Sequence, residues 1–213
     1  MLYIFDMGGV VTSTSSEIKK LVDILGTNEN DFFKWCGSPK GNPAGRGSEF
    51  YKNGEMDLFS MLSNGEITVK EFWNIFSVRS GIVVTTDWWH WLFHPVLNQK
   101  TVKIIQTLKS SKNRVVCGTN TIDSHYQNHL ERGDYSFFDQ TYASNFMGVS
   151  KPDPRFWKII LTAENAREQE TVFIDDRKEN VDAAKNMGIK SILFEGAEKL
   201  ASDLGLDLNF AFD

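Results

Sequence analysis

The stretch Tyr3-Ile4-Phe5-Asp6-Met7-Gly8-Gly9-Val10-Val11 decides the fold. Leu2 to Phe5 is an apolar run with aromatic and β-branched members, the composition of a strand buried on both faces. Asp6 follows at once, and Gly8-Gly9 break the strand. A carboxylate at the C-terminal end of a buried strand, beside a flexible turn, sits where open α/β sheets bind ligands. Taken alone, the same Asp could equally cap a turn, so the rest of the chain has to decide between the two.

From Val96 onward the sequence alternates helix and strand. Arg114–Gly118 reads as a short buried strand followed by Thr119-Asn120-Thr121, and Thr171–Ile174 reads as a strand ending in Asp175-Asp176. A short strand lies within Phe137–Tyr142 and a last one spans Lys190–Phe194. Helices are expected over Val102–Leu108, Ser124–Leu130, Pro154–Ala163, Val181–Met187 and Glu198–Leu204. Strands alternating with helices predict an α/β fold, a doubly wound parallel sheet. Three strand ends then bring Asp6, Thr119-Asn120 and Asp175-Asp176 to one crevice, and packed carboxylates repel unless a cation sits among them.

Residues 13–95 read differently. Ser15 or Ser16 caps a helix through Ile18, Leu21, Val22 and Leu25, Gly26 ends it, and Asn28–Trp35 forms a second. Gly37–Gly47 holds two prolines and several glycines and reads as a loop or lid over a ligand. Glu49–Met61 reads as an interrupted helix, Asn64-Gly65-Glu66 as a turn, and Thr68 with Glu71 as a capping box. Trp88, Trp89, Trp91 and Phe93 form a core stripe or, alternatively, line a pocket, while His90 and His94 have i, i+4 spacing without an H-E-x-x-H pattern.

Composition limits the partners. The 213 residues are 41% hydrophobic, enough for a core, with a net charge of −5 and no basic block, so nucleic-acid binding has no electrostatic support. Cys36 and Cys117 form no ligand pair and fit a reduced, cytoplasmic protein. No signal peptide and no membrane span is expected. The chain is expected to be a monomer or homodimer.

The order Y-I-F-D-M-G-G-V-V, V-V-C-G-T-N, S-K-P-D-P, V-F-I-D-D-R-K-E-N-V, from Tyr3 to Val181, resembles the haloacid dehalogenase-like hydrolases, most of which are phosphatases. The Asn64–Phe72 turn is similar to one in caps of bacterial glucose-1-phosphatase-like members and of the phosphatase domain of soluble epoxide hydrolases. The resemblance implies a Rossmann-like core over residues 1–12 and 96–213 and an inserted α-helical cap over 13–95. It implies Asp6 as nucleophile, attacking phosphorus to form an aspartyl-phosphate. It makes Thr119 the hydroxyl on a phosphoryl oxygen and Lys151 the offsetting cation. The Asn120 backbone, Gly8 and Gly9 are implied to contact the phosphoryl group. Asp6, Asp175, Asp176 and the Gly8 carbonyl hold Mg²⁺, a hard ion suited to oxygen ligands, and Asn180 supports the acidic loop.

Gly8 is the departure, because phosphatases of the family usually carry a second Asp there as general acid and base, a role worth roughly 10²–10⁴ in rate. A glycine can also hold a positive φ that would resist Asp at this place. Three readings follow: a Mg²⁺-dependent phosphomonoesterase acting on a small phosphorylated metabolite such as a sugar phosphate, a catalytically weak or inactive binding or regulatory protein, and a haloacid dehalogenase. The acidic pair argues against the last.

Overall fold

A computed structural model describes residues 1–13, 17–37 and 57–207. Five strands form one parallel sheet: β1 (Leu2–Phe5), β4 (Arg114–Thr119), β5 (Gln140–Ala143), β6 (Thr171–Asp175) and β7 (Lys190–Leu193), in the order β5-β4-β1-β6-β7. β1 is central, its Phe5 in register with Cys117 on one side and Ile174 on the other. The strand order turns around at β1, where a doubly wound sheet opens its crevice.

The period of two along each strand divides the core into two faces. Tyr3, Phe5, Val115, Cys117, Val172 and Ile174 pack on one side against α6 (Gln99–Ser110) and α11 (Ala197–Asp203). Leu2, Ile4, Val116 and Phe173 pack on the other against α9 (Pro154–Ala163) and α10 (Lys178–Asn186). Both faces of the sheet are covered, which is why its strands read as continuous apolar runs. Gly118 is required inside β4, since a Cβ there would stand 2.7 Å from Ile4 Cγ2.

Between β1 and α6 the described residues form five helices: α1 (Glu17–Leu25), α2 (Glu29–Trp35), α3 (Leu58–Ser63), α4 (Val69–Ser80) and α5 (Trp88–Leu92). Polar N-caps open α2 to α5: Asn28, Asp57, Thr68 and Asp87 each accept a backbone N–H of the first turn. The Thr68/Glu71 capping box is complete, and Gly81 closes α4 in the left-handed conformation. Phe32, Phe59, Phe72, Phe76, Trp73 and Trp89 share one apolar cluster, which the core residue Ile122 joins.

Trp89 and Phe93 are core residues, as a packing stripe requires, whereas Trp91 is 64% exposed. α5 stops at Leu92, so His94 does not continue the helix that i, i+4 pairing with His90 would need, and the His90 ring lies against Ser124 and Glu131 instead. Ile82–Val84 form no strand. A ribbon the sequence did not announce, β2 (Thr12–Ser13) antiparallel to β3 (Val96–Leu97), carries the chain into and out of the helical region. Strands of two residues have too few side chains to show alternation. The expected caps Ser15 and Ser16, the Gly37–Gly47 loop beyond Gly37 and the first part of the Glu49–Met61 helix fall outside the described residues. Among the described residues no helix is long and apolar enough to cross a membrane, and Cys36 and Cys117 are free and buried.

Candidate active site and metal centre

Asp6 leaves the end of β1 and stays in line with the sheet, its N–H donating to the Ile174 carbonyl at 2.9 Å. The chain then folds back on itself: Val11 and Thr12 donate N–H bonds to the Met7 carbonyl, and Gly9 donates to Thr12. This tight loop needs one left-handed residue, which is Gly9 at φ +80°. Gly8 has no positive φ, and a Cβ built on it meets nothing within 4 Å. The backbone strain anticipated at Gly8 therefore lies one residue later. At Gly9 a Cβ would stand 2.2 Å from Asp176 Oδ2, so this glycine makes room for the Asp176 carboxylate.

Lys151 comes from the loop before α9 and is buried. Its ammonium donates to Asp6 Oδ1 at 2.6 Å, Asp175 Oδ2 at 2.7 Å and the Gly118 carbonyl at 2.8 Å, which uses all three of its protons. The rings of Phe156 and Phe173 lie 5.6 and 5.4 Å from it. Asp175, fully buried at the end of β6, accepts Lys151, the Arg177 N–H at 2.8 Å and the Asn180 amide at 3.0 and 3.1 Å. Those bonds occupy both its oxygens and tie β6 to the start of α10. Asp176 is more open. One oxygen from each of Asp6, Asp175 and Asp176 lies within 4.8 Å of the others, the one such acidic, His or Cys group among the described residues.

Thr119 and Asn120 leave β4 next to Asp6. Thr119 is buried, and its hydroxyl makes only a long 3.4 Å bond to the Asn120 carbonyl, leaving it available at the strand end. The Asn120 side chain does not turn to the crevice. It pairs with the Lys151 backbone in both directions, accepting the N–H at 2.8 Å and donating to the carbonyl at 2.8 Å. That positioning role, and the Gly118 carbonyl under Lys151, were missed in the sequence. A glycine inside a buried strand was the available signal for the second.

Three carboxylates face one ammonium, and the electrostatics follow. Burial lifts the Asp6 carboxyl to about 7, with Lys151 opposing it and Asp175 and Asp176 adding to it. Burial and then Asp175 also raise Asp176. Burial alone would favour a neutral Lys151, but Asp175 and Asp6 outweigh it and hold the amine charged. Oxygen-only donors carrying excess negative charge, with one carboxylate open, fit a hard divalent cation.

This architecture defines an α/β protein with an acid-rich centre at the C-terminal edge of its sheet. The sequence profile of the haloacid dehalogenase-like hydrolases matches residues 1–188, and the chain belongs to that family. Over 112 residues it is 30% identical to drimenol cyclase DrtB of Aspergillus calidoustus, covering 51% of this chain and 21% of that protein. Over 69 residues it is 35% identical to the glyceraldehyde 3-phosphate phosphatase of Pyrococcus furiosus, covering 32% and 29%. The chain thus spans less than a third of the length of either relative. Its fold is similar to a HAD family enzyme of Bacteroides thetaiotaomicron solved with magnesium and inorganic phosphate, at TM-score 0.70 and 21% identity over 91% of this chain and 93% of that one.

Proposed function

We propose that the protein is a Mg²⁺-dependent phosphomonoesterase acting on a small phosphorylated metabolite, with residues 13–95 as its cap. The observation that carries this reading is the buried Lys151 ammonium gripping Asp6 at 2.6 Å, beside Asp176 and beneath the open end of β4. Lys151 keeps Asp6 available as an anion and orients one oxygen, leaving the other for attack on phosphorus. The Asp6–phosphorus bond forms as the ester oxygen departs. Water then cleaves the aspartyl-phosphate, returning Asp6 and releasing inorganic phosphate. Thr119 Oγ1 would donate to a phosphoryl oxygen and the Gly8 N–H to another, whereas the Gly9 N–H is already given to the Thr12 carbonyl.

Asp6, Asp176 and, following the family resemblance, the Gly8 carbonyl are the groups that would hold Mg²⁺, with Asp175 behind them. The bound ion would offset charge on the phosphoryl oxygens. Asp175 already accepts from Lys151, Arg177 and Asn180, so Asp176 is the better direct ligand of the pair. That acidic pair gives no advantage to dehalogenation through an ester on Asp6.

Gly8 supplies no acid to the leaving group and no base to the water. Slow turnover is the expected consequence, with phosphate accumulating on Asp6 when the ester carries a good leaving group. Space at Gly8 favours testing this by Gly8→Asp, which should speed hydrolysis of alkyl phosphates. The test of the function itself is a screen of phosphorylated metabolites, p-nitrophenyl phosphate and a 2-haloacid with and without Mg²⁺. Metal-dependent release of phosphate supports the assignment. Halide release without metal, or no turnover of any ester, overturns it in favour of a dehalogenase or of a binding protein respectively.

A further inference from the structure

Away from the carboxylates, a second buried polar group joins the helical region to the core. Ser63 at the end of α3, Ser144 at the start of α8 (Ser144–Met147) and Ser150 beside Lys151 are all buried, and their hydroxyls meet. Their protons can be placed. The Asn64 amide donates to Glu66 and turns its oxygen to Ser150, and an amide oxygen only accepts, so Ser150 donates across the 2.6 Å contact. The Ser63 hydroxyl, 3.1 Å from Ser150 and 3.2 Å from Ser144, then has an oxygen to donate to on either side. Ser144 donates to the Ser63 carbonyl at 2.7 Å and accepts the Thr121 N–H at 3.0 Å. Every hydroxyl in the group has a place for its proton, and each link crosses between the helical region and the core or stays beside the crossing. The approach is close: a Cβ on Gly65, at φ +67°, would stand 2.0 Å from the Asn145 carbonyl oxygen.

What the group touches gives it a use. Ser150 precedes Lys151, and Thr121 follows Asn120, whose side chain grips the Lys151 backbone in both directions. We propose that Ser63 and Asn64 are positioning residues for Lys151: by docking on Ser150 and Ser144 they fix the two core segments that aim its ammonium at Asp6. A helical region that lifts away would release those segments, so the ammonium is held in place only while the region is seated. A buried polar network with every member satisfied rigidifies the segments that it joins.

The test uses Asn64→Leu, Ser150→Ala, their double variant and Asn64→Asp, which keeps an acceptor for Ser150. The first readout is backbone amide hydrogen exchange at Lys151 and Thr121, which needs no activity. Loss of one buried hydrogen bond should speed exchange there about tenfold while α9 is unchanged. Asn64→Asp should stay within about twofold of the wild type, and the double variant should match the stronger single one. The second readout rests on the proposed phosphatase activity: with p-nitrophenyl phosphate and Mg²⁺, kcat should fall about tenfold with KM moved less than about threefold. Unchanged exchange at both amides, acceleration spread equally through α9, or fully independent effects of the two substitutions would each overturn the proposal. Should Asn64→Leu not fold, Ser150→Ala with Ser63→Ala carries the same comparison. If the wild type hydrolyses no ester, the functional reading fails while exchange still decides the positioning role.

Discussion

The molecule buries two clusters of opposite chemistry. In the helical region rings meet rings: Trp89 stacks on Trp73 at 5.5 Å and 18°, while Phe32, Phe59 and Phe72 meet it edge-on or nearly so. At the sheet edge Asp6, Asp175 and Asp176 crowd one lysine. The first arrangement is what a chain does to lower its free energy, since each buried aromatic contributes about 1.5–3 kcal/mol and ring pairs add to that. The second works against stability, because buried like charges repel one another: burial first, with neighbouring carboxylates adding to it, raises Asp6 and Asp176. Polar clusters that cost stability mark function, and aromatic wealth alone does not.

Removing charges from the sheet edge should break the symmetry most visibly. Lys151→Met leaves three carboxylates with no counter-ion, and it should cost about 3–5 kcal/mol of stability together with all of the proposed phosphatase activity. Asp6→Asn should abolish activity as completely yet leave the melting temperature unchanged or raised, because it removes one of three like charges and Lys151 keeps Asp175 and the Gly118 carbonyl. Denaturant unfolding of the two variants decides the point. Equal destabilisation by both would mean the cluster is a structural ion network. In the helical region the expectation reverses. Trp89→Ala should cost about 3–5 kcal/mol while Mg²⁺ affinity, read by calorimetry, holds.

The two glycines after Asp6 sharpen the contrast within one loop. Gly9→Ala puts a methyl group 2.2 Å from the Asp176 carboxylate at a positive φ, and it should weaken Mg²⁺ binding at least about tenfold. Gly8→Ala meets open space and should change that affinity less than about twofold. Calorimetric titration of both with Mg²⁺ measures the difference, and equal losses would move the metal site away from Asp176.

How much of this was legible in the sequence depended on the range of the interaction. Strands β1, β4 and β6 were read nearly to the residue, because two covered faces impose an apolar run that Asp6, Thr119 and Asp175 end abruptly. The support that Asn180 gives the acidic loop came from the family resemblance, and in the structure its amide reaches Asp175 five residues away. The Asn120 grip on Lys151 and the Ser63–Ser144–Ser150 group were not, because their partners lie 31 to 87 residues apart and no period links them. Trp91 misled as part of a stripe: α5 has only five residues, too few for one face to cover every ring.

The smallest effect expected lies at the border between the two regions. Glu17 opens α1, its carboxylate 3.9 Å from His125 Nε2 on α7 (Asp123–Glu131), and that nitrogen is buried without a hydrogen-bond partner among the described residues. Phe93 stacks on the same imidazole at 3.9 Å. Burial lowers His125 to about 3, with His129 and His90 adding to it, so the ring is neutral near neutral pH and offers Glu17 no charge. Burial then raises Glu17 to about 7, with Lys20 opposing. An unfolded Glu titrates near 4.3. Between about 4.3 and 7 the folded chain therefore holds more protons than the unfolded one, and the Glu17 contribution to stability falls as pH rises. It is complete below about 4.3 and lost above 7. His125 titrates with the opposite sign, losing its contribution as pH falls below about 6.5, but that term is common to wild type and variant and cancels in their difference. Glu17→Gln should accordingly match the wild type at pH 4 and become more stable than it by pH 7.5. The gain should be roughly 1 kcal/mol after solvent screening of a partly open side chain, about 2–4 °C in melting temperature for a chain of this size. Melting curves of both proteins across that range give the answer. A variant less stable than the wild type at pH 7.5 would show that Glu17 is ionised and paired with a charged His125, which would make the border between the two regions a salt bridge rather than a shared desolvated contact.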